Sequence, residues 1–304
     1  MKDSKVAVIR GKEPGEMVRN ALDLAEVLNL VRDKKVFIKL NFGGPSGKPG
    51  AIVSEGVTRA VIEYFKPVCQ ELKVGEQGRA SKEESEALFN RIWCRELEKE
   101  LGVEFVNLWD VEYMTKEVPK PFAKKRWKIP KMILDSDIVI SLACLKISAA
   151  AKVTLALKNF YGVIPYKNKA FFHGKVHQVI VDLNQIIKPS IGIIDGIYGW
   201  EGGESSLGGS SIGMDLLLAS QDLVALDTVA TEIMGIDSRI VPYIQLAGEL
   251  GLGVSDLDRI EVVGKQIDEV KRVFKKVPAY QVWGSKISAI AGLANYYLIA
   301  KGEE

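Results

Sequence analysis

Cysteine and histidine are scarce in this chain. Among 304 residues there are three cysteines, Cys69, Cys94 and Cys144, and two histidines, His173 and His177. The cysteines are dispersed and form no CxxC pair, which excludes a zinc ribbon or an iron–sulfur cluster built from this chain alone. Such a set suits a reducing cytoplasm, the expected location, and Cys144, inside an apolar run, reads as core. Charge imbalance is also small: 41 Lys and Arg stand against 39 Asp and Glu, a net +2. That removes any global electrostatic case for nucleic acid or membrane. The notable basic stretch, Lys120 to Lys131 (KPFAKKRWKIPK), has few stacking aromatics and no recognition motif, so no nucleic-acid partner is expected. No secretory h-region opens the chain, which goes straight into a strand-like run. No apolar run is long enough for a comfortable membrane span. The strongest, Ser285 to Gly302, is interrupted by Asn295. It reads as an apolar C-terminal helix over 281–304, docked on the core or on a second subunit to give a homo-oligomer. A membrane-surface anchor is the lesser alternative.

What the sequence does contain is alternation. Short β-rich runs (KVAVIR at 5–10, KVFIKL at 35–40, Leu72 to Val74, Val103 to Leu108, Tyr113 to Val118, Arg126 to Ile129, Ile138 to Leu145, Ile191 to Tyr198, Asp215 to Ala219, Ile260 to Val263) are interleaved with helical periods. The helical periods cover 13–30, 57–65, 81–101, 153–161, 176–187, 223–234, 243–250 and 267–274. Ser54 is a plausible N-cap, and SKEE at 81–84 a capping box. The pattern predicts an α/β fold with a mainly parallel sheet flanked by helices in Rossmann-like layers. It fits one large domain over 1–280, or two lobes divided near 140–190. The Gly- and Ser-rich stretch from Gly199 to Gly213 reads as the longest loop, of the kind that is usually functional.

The most informative segment is Ser141 to Gly162, SLACLKISAAAKVTLALKNFYG. An apolar run ends in Lys146, and a second lysine, Lys158, sits next to Asn159. A lysine at the edge of buried sequence costs desolvation energy unless something negative meets it. The region therefore reads as an anion pocket, or as lysines held by buried carboxylates. On a helix, Thr154 and Lys158 share a face and Lys152 does not, so Lys146, Thr154, Lys158 and Asn159 are assigned to the site and Lys152 to solvent. Lys39 and Asn41 end a strand before the loop FGGPSGKPG, which leads to the helix capped at Ser54. Beyond a strand's carboxyl end, glycine amides and a helix N-terminus favour an anion, although a plain structural loop fits equally. Lys169 and His173 follow downstream, with His173 as an acid/base or anion contact. Asp195 and Glu201 suit a hard divalent cation, or neutralise the lysines. Asp227, inside an apolar helix, is expected to pair with a buried cation. Asp222 is expected to cap that helix.

Taken in order, VFIKLN, LKISAAAKVTLALKNFYGVIP, KNKAFFH, IGIIDGIYGWEGGESSLGG, LLLASQDLVALDTVATEIMG and LGLGVSDLDRIEVVG resemble a family known as domain of unknown function 362. Many members carry an appended ferredoxin-like module with two four-iron clusters. The resemblance thus implies redox company and a ferredoxin-like partner, while this chain, lacking the module's cysteines, is expected to bind no cluster. Members commonly show histidine two residues after the lysine matching Lys146, where this chain has Ser148. Their glycine loop reads closer to glycine-proline, where Ser205 and Ser206 stand here. A distant likeness to lactate-racemase-type proteins is one of architecture alone.

Two readings follow. In the first, the chain binds or transforms a small anionic organic molecule: Lys39, Lys146 and Lys158 hold negative charge, His173 moves a proton, and Asp195 and Glu201 place a divalent metal. In the second, it is a non-catalytic partner in iron–sulfur or redox metabolism. Clustering of the named lysines with His173 and Asp195 favours the first, and scattering favours the second.

Overall fold

Why the middle of the sheet lies where it does is visible in one strand. Every residue from Ile138 to Ser148 is buried. Val139, Ala143, Leu145 and Ile147 enter one hydrophobic core, and Ile138, Ile140, Leu142 and Cys144 enter the other. Alternate side chains of a strand point to opposite faces, so a strand apolar at both parities must be covered on both sides. In a computed structural model describing residues 2–44, 47–78, 80–288 and 290, helices cover both faces of this strand.

The strands are β1 (Ser4–Arg10), β2 (Lys35–Lys39), β3 (Glu71–Glu76), β4 (Glu104–Asn107), β5 (Tyr113–Glu117), β6 (Arg126–Pro130), β7 (Ile138–Ser148), β8 (Lys152–Thr154), β9 (Ile191–Glu201), β10 (Ser210–Ser220) and β11 (Ile260–Gly264). Among the described residues, nine of them form one sheet in the order β11-β1-β10-β9-β7-β2-β3-β4, with β8 paired to β7. Its core is parallel: β9, β7, β2, β3 and β4 run the same way. Only β10 and the short β8 pair antiparallel to their neighbours. β5 and β6 make a separate hairpin. Residues 140–190, the stretch between the two suggested lobes, run from β7 to its neighbour β9.

The helices are α1 (Pro14–Leu24), α2 (Leu28–Val31), α3 (Glu55–Phe65), α4 (Lys82–Arg91), α5 (Cys94–Leu101), α6 (Lys131–Leu134), α7 (Ala156–Asn159), α8 (Val176–Ile187), α9 (Leu223–Ile233), α10 (Pro242–Glu249) and α11 (Ile267–Val270). Helices α1, α3, α4 and α5 cover one face, and α8, α9 and α10 the other. The caps at Ser54, Ser81 and Asp222 form: Ser54 Oγ accepts from Val57 N (3.4 Å), Ser81 Oγ from Glu84 N (3.2 Å) and Asp222 Oδ1 from Val224 N (2.9 Å). This is the α/β architecture expected, a mostly parallel sheet between helical layers.

Four local expectations are corrected. The single helix expected over 81–101 is two, because the chain turns extended at Ile92 and Trp93 packs edge-on against Phe42 and Phe105. The helix expected over 153–161 is β8, one turn of α-helix and a 3-10 turn over 160–163. The stretch expected as a long loop, Gly199 to Gly213, is partly strand: both its ends belong to the β9–β10 hairpin, and Gly202 to Gly209 form the loop between them. The helix expected over 267–274 ends at Val270. As for the apolar helix over 281–304, residues 279–288 and 290 are helical, and residues 291–304 lie outside the described residues.

Candidate anion site

Three adjacent parallel strands end beside one another, and each ends in charge. Lys39 is the last residue of β2, Glu76 the last of β3, and Lys146 stands two residues from the end of β7. Side chains at these positions lie where open α/β sheets bind ligands, beyond the carboxyl ends of their strands. They open onto a cavity of about 430 Å³ lined by Lys39, Asn41, Glu76, Lys146, Thr154, Lys158, Asn159, Lys167, Lys169 and Glu204, with Tyr161, Gly162 and Ser205. The volume suits a small molecule, for which ~300 Å³ or more is usual.

The floor is a fixed network. Lys39, 1% exposed, donates to Glu76 Oε2 at 2.7 Å and to Leu40 O at 2.8 Å. Glu76 also accepts from the amides of Phe42 (3.3 Å), Gln77 (2.8 Å) and Gly78 (3.1 Å). Burial pushes the Lys39 ammonium down and Glu76 opposes that shift, so the two stand as a desolvated ion pair. Asn159 knots three elements: its Nδ2 donates to Lys39 O (3.0 Å) and Ser141 Oγ (3.1 Å), and its Oδ1 accepts from Asn41 Nδ2 (2.9 Å). Asn41 Oδ1 in turn accepts from Lys146 Nζ.

The other cations of the cavity wall, buried Lys146 and half-buried Lys158 and Lys169, have no carboxylate partner among the described residues. Lys146 donates to Asn41 and to Ala51 O (3.0 Å). Lys158 donates to Thr154 Oγ1 (2.8 Å). Lys169 donates to Gln77 Oε1 and to Gly162 O (2.8 Å). Burial pushes Lys169 down to about 7. It lowers Lys158 also, with the charge of Lys146 adding to the effect and Glu204 opposing it. An ammonium has three donors, so these three lysines keep N–H groups for a ligand. Lys167, exposed, sits at the rim. Glycine leaves room at the wall: a Cβ on Gly43 would press on Lys146 Nζ, and one on Gly162 would lie 3.1 Å from Lys39 Nζ, so either change would displace a site lysine.

Of the residues assigned from sequence, Lys39, Asn41, Lys146, Thr154, Lys158, Asn159 and Lys169 all line this cavity, and Lys152 is exposed as expected. Thr154 and Lys158 meet for another reason than a shared helix face, since Thr154 ends β8 and the chain turns back into α7. His173, in a 3-10 turn over 169–175, lies outside the lining. Burial lowers its pKa, and the charges of Lys158 and Glu204 reach it. Its Nδ1 is buried with no partner among the described residues.

The proposed metal pair is not brought together at the cavity. Asp195 Oδ2 accepts from Ser54 N at 2.7 Å and Oδ1 from Ile197 N at 3.1 Å, so this carboxylate meets the N-terminus of α3. Glu201 accepts from Lys275 N at 2.8 Å and pairs with Lys275 Nζ at 3.4 Å. Neither lines the pocket, and among the described residues no three His, Cys, Asp or Glu are grouped to hold a metal. The Ser54 helix end, expected to face an anion, is met by Asp195 instead.

Asp227 also differs from expectation. Its carboxylate meets no lysine; it accepts from Ala156 N (2.8 Å), Leu157 N (3.1 Å) and Tyr243 OH (3.3 Å). It therefore holds the first turn of α7, which carries Lys158 and Asn159, and burial raises it to about 7. Asp227→Ala leaves two buried amides without an acceptor and is expected to cost ~3 kcal/mol in denaturant unfolding. A loss under ~1 kcal/mol would show that the turn holds itself. Because the folded state keeps this proton from 3.8 up to about 7, its contribution to stability declines as pH rises through that window, a slope that Asp227→Asn removes.

Sequence reasoning missed two carboxylates. Glu76 lies two residues beyond the strand expected at 72–74, and only the full length of β3 puts it at a strand end. Glu204 lies in the tip of the β9–β10 hairpin and accepts from Ser148 Oγ at 3.1 Å. Ser148, 3% exposed, thus anchors a wall of the cavity.

Residues 36–232 match the model of the family described as domain of unknown function, DUF362. The chain belongs to this family. The thylakoid-associated protein sll1697 of Synechocystis sp. is 33% identical over 132 residues, covering 41% of this chain and 41% of that protein. The chain thus spans less than half the length of that relative. Among solved structures, the lactate racemase apoprotein of Thermoanaerobacterium thermosaccharolyticum is similar at 12% identity and a TM-score of 0.39, over 77% of this chain and 58% of that one. A likeness that slight carries nothing about activity. No helix among the described residues is long and apolar enough to cross a membrane.

Proposed function

We propose that this DUF362 protein binds a small organic anion in the pocket at the ends of β2, β3 and β7. One observation carries the reading: five lysines and two glutamates line a single cavity, and buried Lys146 and half-buried Lys158 and Lys169 have no carboxylate partner among the described residues. Desolvated cations in excess are costly in an empty protein, and an anionic ligand offsets that cost. Lys146, Lys158 and Lys169 would contact the anion, with Lys39, Asn41, Thr154 and Asn159 setting its seat. Lys158 and Lys169, shifted toward neutrality, and His173 beside them are groups able to take or give a proton, so the same site suits proton transfer next to a bound carboxylate. Free thiols at Cys69, Cys94 and Cys144 accord with a reducing cytoplasm. A non-catalytic redox partner has no need of a cationic pocket; of the residues whose clustering distinguishes the readings, Lys39, Lys146 and Lys158 line it and support the ligand reading, while His173 and Asp195 do not line it.

The test is calorimetry and thermal shift at low ionic strength with malonate, succinate and phosphoglycolate, each beside an uncharged analogue. Stabilisation by the acids and not by the analogues is expected. A bound anion restores the charge of Lys169, which is about 7 in the free protein. Binding at pH 8 should therefore take up a fraction of a proton, read from the buffer dependence of the enthalpy, and the uptake should fade well below 7. No stabilisation by any acid up to ~10 mM, far weaker than common ligand affinities, would refute the proposal.

A further inference from the structure

The last stretch of the chain has a charge pattern unlike the rest. From Val270 to Gly302 there is no Asp or Glu, while Lys271, Arg272, Lys275, Lys276, Lys286 and Lys301 are all cationic. Elsewhere acids outnumber cations, 39 to 35. The same stretch exposes large apolar side chains: Val273 is 75% exposed, Tyr280 70%, Trp283 65%, Ile287 62% and Ile290 71%. Positions 280, 283, 287 and 290 recur at helical spacing, and residues 279–288 are helical, so these side chains share one face. The opposite side is anchored. Phe274 is buried against Gly199 of β9. Gln281, 5% exposed, accepts from Glu204 N at 2.8 Å and donates to Leu207 O at 3.5 Å. Leu207 is itself 67% exposed.

We propose that this segment lies flat on an anionic lipid bilayer, with Tyr280, Trp283, Ile287 and Ile290 entering the headgroup boundary and the surrounding cations meeting lipid phosphates. An interfacial helix combines one apolar face with flanking Lys and Arg, and a tryptophan ring suits that depth. Lys286, with Nζ 5.7 Å from the Trp283 ring centre, can reach headgroups while its stem lies along apolar surface. No described helix is long and apolar enough to cross a membrane. Charge argues against a second copy as the occupant: a two-fold interface sets a patch against itself, and a segment whose own charges are all cationic from Lys271 to Lys286 would face its own cations. An anionic bilayer is complementary in both charge and polarity.

The experiment is flotation of the full chain with vesicles of phosphatidylcholine and phosphatidylglycerol, two to one, beside pure phosphatidylcholine. Binding to the anionic vesicles alone, weakened by salt, with a blue shift of tryptophan emission lost in Trp283→Ser, is expected. Trp283→Ser with Ile287→Ser should weaken binding about tenfold or more. Both positions are exposed, and an unchanged melting temperature would establish that the fold holds. Lack of binding by the wild-type chain overturns the proposal. So does binding that the serine variants leave intact, which would mark nonspecific adsorption. Self-association abolished by the same variants, without vesicle binding, would make the face a contact between copies and overturn it too. Anion binding in the pocket is measured separately and is not altered by any of these outcomes.

Discussion

Lys158→Met is expected to raise the melting temperature of the ligand-free protein while weakening anion binding about a hundredfold. The two effects have one cause. Lys158 has a single described partner, Thr154 Oγ1 at 2.8 Å. Methionine follows the same stem without the ammonium, relieving a desolvated charge near Lys146. A gain of ~1–2 kcal/mol is in keeping with removing an unpaired buried charge, and for a chain of this size that means a few degrees. The same change deletes the donors that Lys158 offers to the proposed anion. The free protein's penalty has a pH signature as well. As pH falls from the ordinary lysine range toward 7, the unfolded chain takes up a proton that the folded Lys169, at about 7, takes up only lower down. Stability attributable to that group therefore decreases over this window. A fall in melting temperature together with unchanged binding would mean that Lys158 is a structural residue.

Glu76→Ala should give the largest loss of stability in the molecule's polar interior, ~3–5 kcal/mol. It strands the buried Lys39 ammonium and frees the amides of Phe42, Gln77 and Gly78. Lys39→Met should cost less, because Glu76 would keep those three amide donors. Unfolding in guanidinium of both variants and of the double variant Lys39→Met/Glu76→Leu gives the coupling. The double variant is expected to be more stable than Glu76→Ala alone. The opposite ranking, with Lys39→Met the worse of the two, would mean that the pair is not the anchor described.

Much of this was legible in the sequence, for local reasons. The apolar run at 138–145 marked a strand buried on both faces, and Lys146 after it had to be met by something polar. Lys39 and Asn41 were recognisable because they close a β-rich run before glycine. What stayed hidden depended on partners distant in sequence. β7 continues to Ser148 because β8 folds back on it, which no local period reveals. Asp227 looked like a partner for a lysine, yet two backbone amides from another element satisfy it. Asp195 and Glu201 share a strand and suggested a shared ion. Their hydrogen bonds instead go to Ser54 and Ile197 in one case and to Lys275 in the other.

The hydrogen bonds of the pocket floor also say when it can form. Lys39 and Glu76 are 37 residues apart, Gln77 and Lys169 92, Asn41 and Lys146 105, and Asn41 and Asn159 118. Contacts of such separation carry a loop-closure entropy cost that must be met before they are rewarded. The pocket is thus expected to form late in folding, which hydrogen-exchange labelling during refolding would check. A growing chain released before Lys169 lacks it entirely, and Glu204 completes the wall later still. If the pocket binds the proposed anion, its affinity would report on global assembly, because a chain lacking these elements lacks the pocket.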